Sequence, residues 1–213
     1  MLIKCPQVLE PVFQKSTEKK SRLFRTGRTD FFREYDEFYI PTECMNISLF
    51  HSSVAVATAK GFELLVLDKK QPWTVPTLTS GDAAITPIAS RLSGQQPLNI
   101  FRLSEQEFLC VYEECAVYVN KHGDINRGVI MEFVGRARAA CLYGKFLCLF
   151  DHDFVEVRNA MDGRLRQVIA GKEVRCLDDG GGGTRTVKVG MCHPEYERSL
   201  VVMELLVNEG LRE

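Results

Sequence analysis

Apolar residues along this chain come in short runs parted by a few polar or turn-forming positions, the spacing of strands joined by hairpins rather than of amphipathic helices. Glu37-Phe38-Tyr39-Ile40-Pro41 is a β-rich run closed by proline, which has no N–H to offer a sheet ladder. Strands are expected next at 47–50, 54–58 and 62–67, with a short outer strand at 72–76 through Trp73 and Val75. A second unit runs 98–103, 107–112, 116–120 and 129–133, and a third 137–142, 146–150, 154–158 and 165–169. A fourth starts at 174–177, breaks at 178–183, and resumes at 186–191 and 200–206. No helix longer than two turns is expected, except near residues 28–36. In each unit the second strand is apolar throughout and reads as buried on both faces. The third alternates and reads as half exposed, and the fourth is more polar.

Two of these units repeat a phrase. Glu107 to Val119 (EFLCVYEECAVYV) and Lys145 to Val157 (KFLCLFDHDFVEV) align without a gap at a spacing of 38 residues, with five identities in thirteen positions. Unrelated sequence would give roughly one. The first unit matches more loosely: Val54, Val56 and Phe62 fall 54 positions before Phe108, Cys110 and Ala116. The excess is expected in residues 77–97, which are rich in Ser, Thr, Gly and Pro and read as an insertion between units. Strand-only units recurring at about 40 residues are the signature of propeller blades. The expected fold is therefore all-β: a partial β-propeller of about four antiparallel four-stranded blades.

Composition narrows the function. The 213 residues are 45% hydrophobic with a net charge of −1, too apolar for disorder and too neutral for a nucleic-acid binder as a whole. The opening MLIKCPQVLEP lacks the apolar stretch of a secretory signal, and no run approaches the length of a membrane span. The eight cysteines include no C-x-x-C pair, and Cys110, Cys148 and Cys176 sit in strand-like runs, so reduced thiols in a cytoplasmic protein are expected. Between 15 and 33, Lys15, Lys19, Lys20, Arg22, Arg25, Arg28 and Arg33 face only Glu18 and Asp30. The functional reading of Lys15, Lys19, Lys20, Arg22, Arg25 and Arg28 is a loop that touches an anionic membrane or partner. The plainer one is a solvated connection.

Chemistry is sparse. Gly180 to Thr184 lacks the lysine and the following helix of a phosphate loop and reads as a flexible connection. The four histidines form no metal-ligand spacing. Asp151-His152-Asp153 invites a general-base reading, but the matching Glu113-Glu114-Cys115 makes this position a polar hairpin. No catalytic, cofactor-binding or metal-ligating residue is assigned, and no cofactor is expected.

The segments EFYIPTE (37–43), KGFELLVLD (60–68), PLNIFRL (97–103), EFLCVYEECAVYVNKHG (107–123), FVEVRNAMDGRLRQVI (154–169) and VRCL (174–177), in this order, resemble the C-terminal part of the citron homology (CNH) domain. The nearest form is the one at the C-terminus of fungal guanine-nucleotide exchange factors for Rho-type GTPases, and the resemblance spans residues 20–206. It implies a seven-bladed β-propeller without catalytic residues, serving protein interaction and regulation. Exchange activity in that family belongs to a separate Dbl-homology domain beside a pleckstrin-homology domain. The chain offers about four blades and opens on Met1 inside what should be mid-domain sequence, so a fragment or truncated gene is expected, with an uncovered apolar blade face.

The expected organisation is a partial N-terminal blade and basic connection over 1–36, propeller blades over 37–207 with the insertion at 77–97, and a tail over 208–213. The expected function is a non-enzymatic interaction and regulatory module of a Rho exchange factor. Its partners would be Rho-pathway proteins, with an exchange domain in the same or a neighbouring chain. No nucleic acid and no transmembrane segment are expected, and the location is cytoplasmic with peripheral contact at the inner face of the plasma membrane. The alternative is a CNH propeller of the vesicle-tethering type, and a propeller hydrolase is disfavoured.

Overall fold

A computed structural model describes residues 2–6, 34–67, 71–78, 83–181, 186–196 and 198–207. Strands β1 (Leu2–Pro6) and β2 (Glu34–Tyr39) pair antiparallel as a two-stranded sheet. Three four-stranded antiparallel sheets follow. Blade 1 holds β3 (Cys44–Leu49), β4 (Ser53–Thr58), β5 (Gly61–Val66) and β6 (Pro72–Val75). Blade 2 holds β7 (Pro97–Arg102), β8 (Glu107–Tyr112), β9 (Cys115–Asn120) and β10 (Ile125–Glu132). Blade 3 holds β11 (Ala139–Tyr143), β12 (Phe146–Phe150), β13 (Phe154–Asn159) and β14 (Leu165–Ala170). Blade 4 has three described strands rather than four: β15 (Arg175–Asp178), β16 (Val187–Cys192) and β17 (Leu200–Leu205). A helix over 28–36 does not survive where it can be tested, because Glu34 to Asp36 lie in β2.

Side-chain alternation packs the blades face to face. On β4, Ala55 and Ala57 point toward blade 2, while Val54 and Val56 meet Ile40 and Leu67 on the far side. On β8, Cys110 and Tyr112 face blade 1, and Leu109 and Val111 face blade 3. On β12, Leu147 and Leu149 face blade 2, while Cys148 and Phe150 meet Val187 and Val189 of blade 4. Each second strand therefore serves two cores at once, which is why it carries almost no polar residue. The third strand of blade 2 departs from expectation: β9 is buried at five of its six residues instead of alternating. Outer strands are solvated, as in β14, where five of six residues are exposed.

The pairing registers correct the repeat. Val111 pairs with Ala116 in blade 2, and Phe150 with Val155 in blade 3, so these hairpins superpose at 39 residues, not 38. The gapless alignment of the two phrases is slipped by one and matches Cys110, facing backward, with Cys148, facing forward. A one-residue slip exchanges the two faces of a strand. Both faces here are apolar, so the slipped register still yields identities. Blade 1 superposes on blade 2 at 54, with Ala57 paired to Phe62, as the sequence indicates.

The inner strands are stitched by polar side chains. Asn46 Nδ2 donates to the Leu98 carbonyl at 2.8 Å, Ser48 Oγ lies 2.5 Å from Asn99 Oδ1, and Asn99 Nδ2 reaches the Ala140 carbonyl at 3.5 Å. The face of blade 4 turned away from blade 3 exposes apolar side chains: Leu177, Leu200 and Val202 are 54%, 76% and 61% exposed.

Candidate interaction surface

The alternating strand directions put the turns between second and third strands, and the connections between blades, at one end of the sheets. Backbone bonds knit these pieces together. The Gln96 carbonyl accepts from Glu113 N at 3.1 Å, and Phe133 N and Ala137 N donate to the Glu114 and Glu113 carbonyls at 2.9 and 2.7 Å. Val174 N and Gly171 N do the same for the His152 and Asp153 carbonyls, at 3.0 and 2.8 Å. Each connection is thus anchored on a hairpin turn.

The connection between blades 1 and 2 is the elaborate one. It starts at Thr77, whose N–H donates to the Gly123 carbonyl at 2.7 Å. Gly123 has φ +90°, and a Cβ there would stand 2.9 Å from a Val75 methyl, so the dock needs glycine for its backbone and for its lack of bulk. Within the stretch read as a plain insertion, a seven-residue helix forms, α1 (Thr86–Leu92). Proline in its first turn presets the backbone, and Ile88 and Leu92, one helical turn apart, are buried against both blades. The sequence carries this signal in Pro87, Ile88 and Leu92. Two buried positions among serine and glycine are too few to register as a period.

Arg91 at the end of α1 holds the helix to blade 2. Its Nε and a terminal nitrogen lie 3.0 and 2.8 Å from the two carboxylate oxygens of Glu132, and the same nitrogen lies 3.2 Å from Glu114. The Gln95 amide brackets Glu114, donating to its carboxylate at 3.1 Å and accepting from its N–H at 3.2 Å. Gln95 foremost, and then Arg91, hold the Glu114 carboxyl below the ordinary carboxylate range. Between this assembly and the β4–β5 turn lies a cavity of about 500 Å³. Its walls include Met45, Pro76, Leu78, Ala89, Leu92 and Tyr112, and Lys60 is the one charged side chain among the lining residues. Its lining is mixed, with Ser93, Gln95 and Gln96 beside the apolar walls.

Of the residues weighed from sequence, His152 sits in the β12–β13 turn, with Nδ1 2.7 Å from Asp153 and Nε2 3.4 Å from Glu173. Asp151 instead caps backbone, accepting from Arg136 N at 2.8 Å and Asp153 N at 3.2 Å. The trio forms the turn between β12 and β13, where the sequence indicates a polar hairpin. Lys15, Lys19, Lys20, Arg22, Arg25 and Arg28 lie outside the described residues. Among the described residues, no group of three or more His, Cys, Asp or Glu side chains is arranged to hold a metal ion. No described helix is long and apolar enough to cross a membrane.

A profile of the CNH domain matches residues 6–180. The chain is 26% identical over 192 residues to Rho1 guanine nucleotide exchange factor 3 of Schizosaccharomyces pombe, covering 88% of this chain and 15% of that protein. It is 29% identical over 180 residues to Rho1 guanine nucleotide exchange factor 1 of the same yeast, covering 83% and 13% respectively. The chain therefore spans about a seventh of the length of these relatives. Among solved structures, the AfRom2 CNH domain superposes with a TM-score of 0.67 at 26% identity, over 83% of this chain and 54% of that one. The Cps50 (Swd1) β-propeller domain of Myceliophteria thermophila, at 12% identity and a TM-score of 0.53, covering 81% and 59%, shares the fold alone. Blades of like build packed face to face, a matching profile over most of the length and a solved CNH domain of the same shape agree: the chain belongs to the CNH domain family.

Proposed function

We propose that this chain is the interaction and regulatory module of a Rho guanine-nucleotide exchange factor, and that it performs no catalysis itself. The observation that carries this reading is the CNH profile over residues 6–180 together with relatives that are named Rho1 exchange factors. The same relatives favour it over a vesicle-tethering role. In this reading 37–207 form the propeller body, and the α1 end with its recess is the contact face for a Rho-pathway protein. Support comes from the physics of that face: hairpin turns and a helix fixed by backbone bonds present a preformed recess, so little ordering entropy is lost on binding. The basic residues Lys15, Lys19, Lys20, Arg22, Arg25 and Arg28 supply a peripheral contact with anionic lipid at the cytoplasmic membrane face.

The test has two arms. The full chain, added to a Rho-type GTPase loaded with labelled GDP, leaves the release rate at its intrinsic value. The same chain retains the exchange-factor catalytic region or the GTPase in a pull-down, and Ala89→Arg, which fills the recess, abolishes retention. Accelerated release overturns the non-catalytic reading. Retention unaffected by Ala89→Arg moves the contact face elsewhere.

A further inference from the structure

Three cysteines converge where blade 3 meets blade 4. Cys141 on β11 and Cys148 on β12 are directly opposite one another in the ladder. Both are buried in the core shared by the two blades, at 2% and 3% exposure. Cys176 on β15, the neighbouring inner strand of blade 4, packs against the same core and is half-buried. Cys148 first, and then Cys176, push the Cys141 thiol above its ordinary range. Two thiols on one blade and one on the next thus face a single core, and the third is partly open to solvent. Val187, Val189 and Met191 of blade 4 line the same core.

We propose that Cys141 and Cys176 are a peroxide-responsive pair whose oxidation joins blade 3 to blade 4 by a disulfide. The solvent-accessible Cys176 is the attacking group. Its thiolate displaces hydroxide from a hydroperoxide such as hydrogen peroxide, which breaks the O–O bond and leaves Cys176 as a sulfenic acid. The Cys141 sulfur then attacks the Cys176 sulfur, the S–O bond breaks, and water departs with the Cys141 proton. Two thiols are oxidised and one peroxide is reduced to two waters. The neighbouring Cys141 foremost, and then the Asp178 backbone, hold the Cys176 thiol below its ordinary range against its partial burial and the nearby Asp178 and Asp179. Cys110 and Cys115 provide the contrast: burial pushes both thiols up, Cys115 to about 12, and keeps them protonated. Cys148 lies on the same ladder as Cys141, where direct cross-strand geometry spaces the β-carbons by about 4.5–5.5 Å, wider than a relaxed disulfide needs. The pair across the blade junction is free of that constraint.

The sequence makes the test simple. Trypsin cuts after Arg138, Lys145, Arg158 and Arg175, so Cys141, Cys148 and Cys176 fall on three separate peptides. The full chain is treated with graded hydrogen peroxide, blocked, digested without reductant and mapped by mass spectrometry. The expected first product is the Cys141–Cys176 linked pair, reversed by dithiothreitol, with Cys110 and Cys115 unmodified. In Cys141→Ser, Cys176 is trapped by dimedone as the sulfenic acid. In Cys148→Ser, the linked pair forms as in the natural chain. A first disulfide joining Cys141 to Cys148, a link between two molecules, or a Cys176 that survives peroxide while Cys110 reacts would each overturn the assignment. The natural-chain map decides alone, whether or not the variants fold.

Discussion

Glu156 is the residue whose removal should matter most. It is 1% exposed, paired with Arg158, and accepts the Val134 N–H at 2.9 Å, while Arg158 donates to the Gly163 carbonyl at 2.8 Å. Glu156→Ala strands a guanidinium in the wall between blades 2 and 3 and should cost about 3–5 kcal/mol in urea unfolding. Replacing the pair together, Glu156→Met with Arg158→Leu, should cost far less, because no unpaired charge remains. Leu109→Ala and Leu147→Ala, one on each side of that wall, should each cost about 2–5 kcal/mol, since both side chains are fully buried. His152 tests surface electrostatics. The Asp153 hydrogen bond first, and the Asp153 charge second, raise its pKa above the ordinary value. A group whose pKa rises on folding stabilises in full below its unfolded value, near 6.5, and loses that contribution as pH climbs through the folded value. NMR titration should place the His152 midpoint above that of an unfolded peptide, and Asp153→Asn should bring it down.

At the scale of the element, α1 is the sharpest case. Leu92→Ala should destabilise the chain by about 2–5 kcal/mol and enlarge the neighbouring recess, read by urea unfolding and by uptake of an apolar dye. The sequence makes the strands legible because each is bounded by turn chemistry: 107–112 and 146–150 stand as read, and others shift by one to four residues at an end. It hides α1 because that helix takes its stability from the blades on either side rather than from its own pattern. It also misplaces one repeat by a residue. Hairpin pairing carries that information, and composition does not. The polar ties of Arg91, Gln95 and Glu114 were equally invisible, since nothing in a lone arginine or glutamine says which distant carboxylate it will meet.

At the scale of the whole molecule, the apolar face of blade 4 sets solution behaviour. Leu177, Leu200 and Val202 form a patch of the kind that promotes association, so the chain should self-associate with rising concentration. Leu200→Lys with Val202→Lys should shift sedimentation toward the monomer without lowering the melting temperature. The sandwiched second strands carry a different consequence. In an ordinary sheet, solvent on one side punishes a shifted strand, because greasy groups are thrust outward. Phe146 to Phe150 has no wet side to enforce that penalty. Fidelity of alignment must then rest on the hairpin ends: the Gly144 reversal, Asp151 gripping the backbone of Arg136 and Asp153, and the Asn159 amide oxygen holding Met161 N at 2.8 Å. Lengthening those bends by one residue should therefore scramble a blade more thoroughly than exchanging one greasy side chain for another inside it.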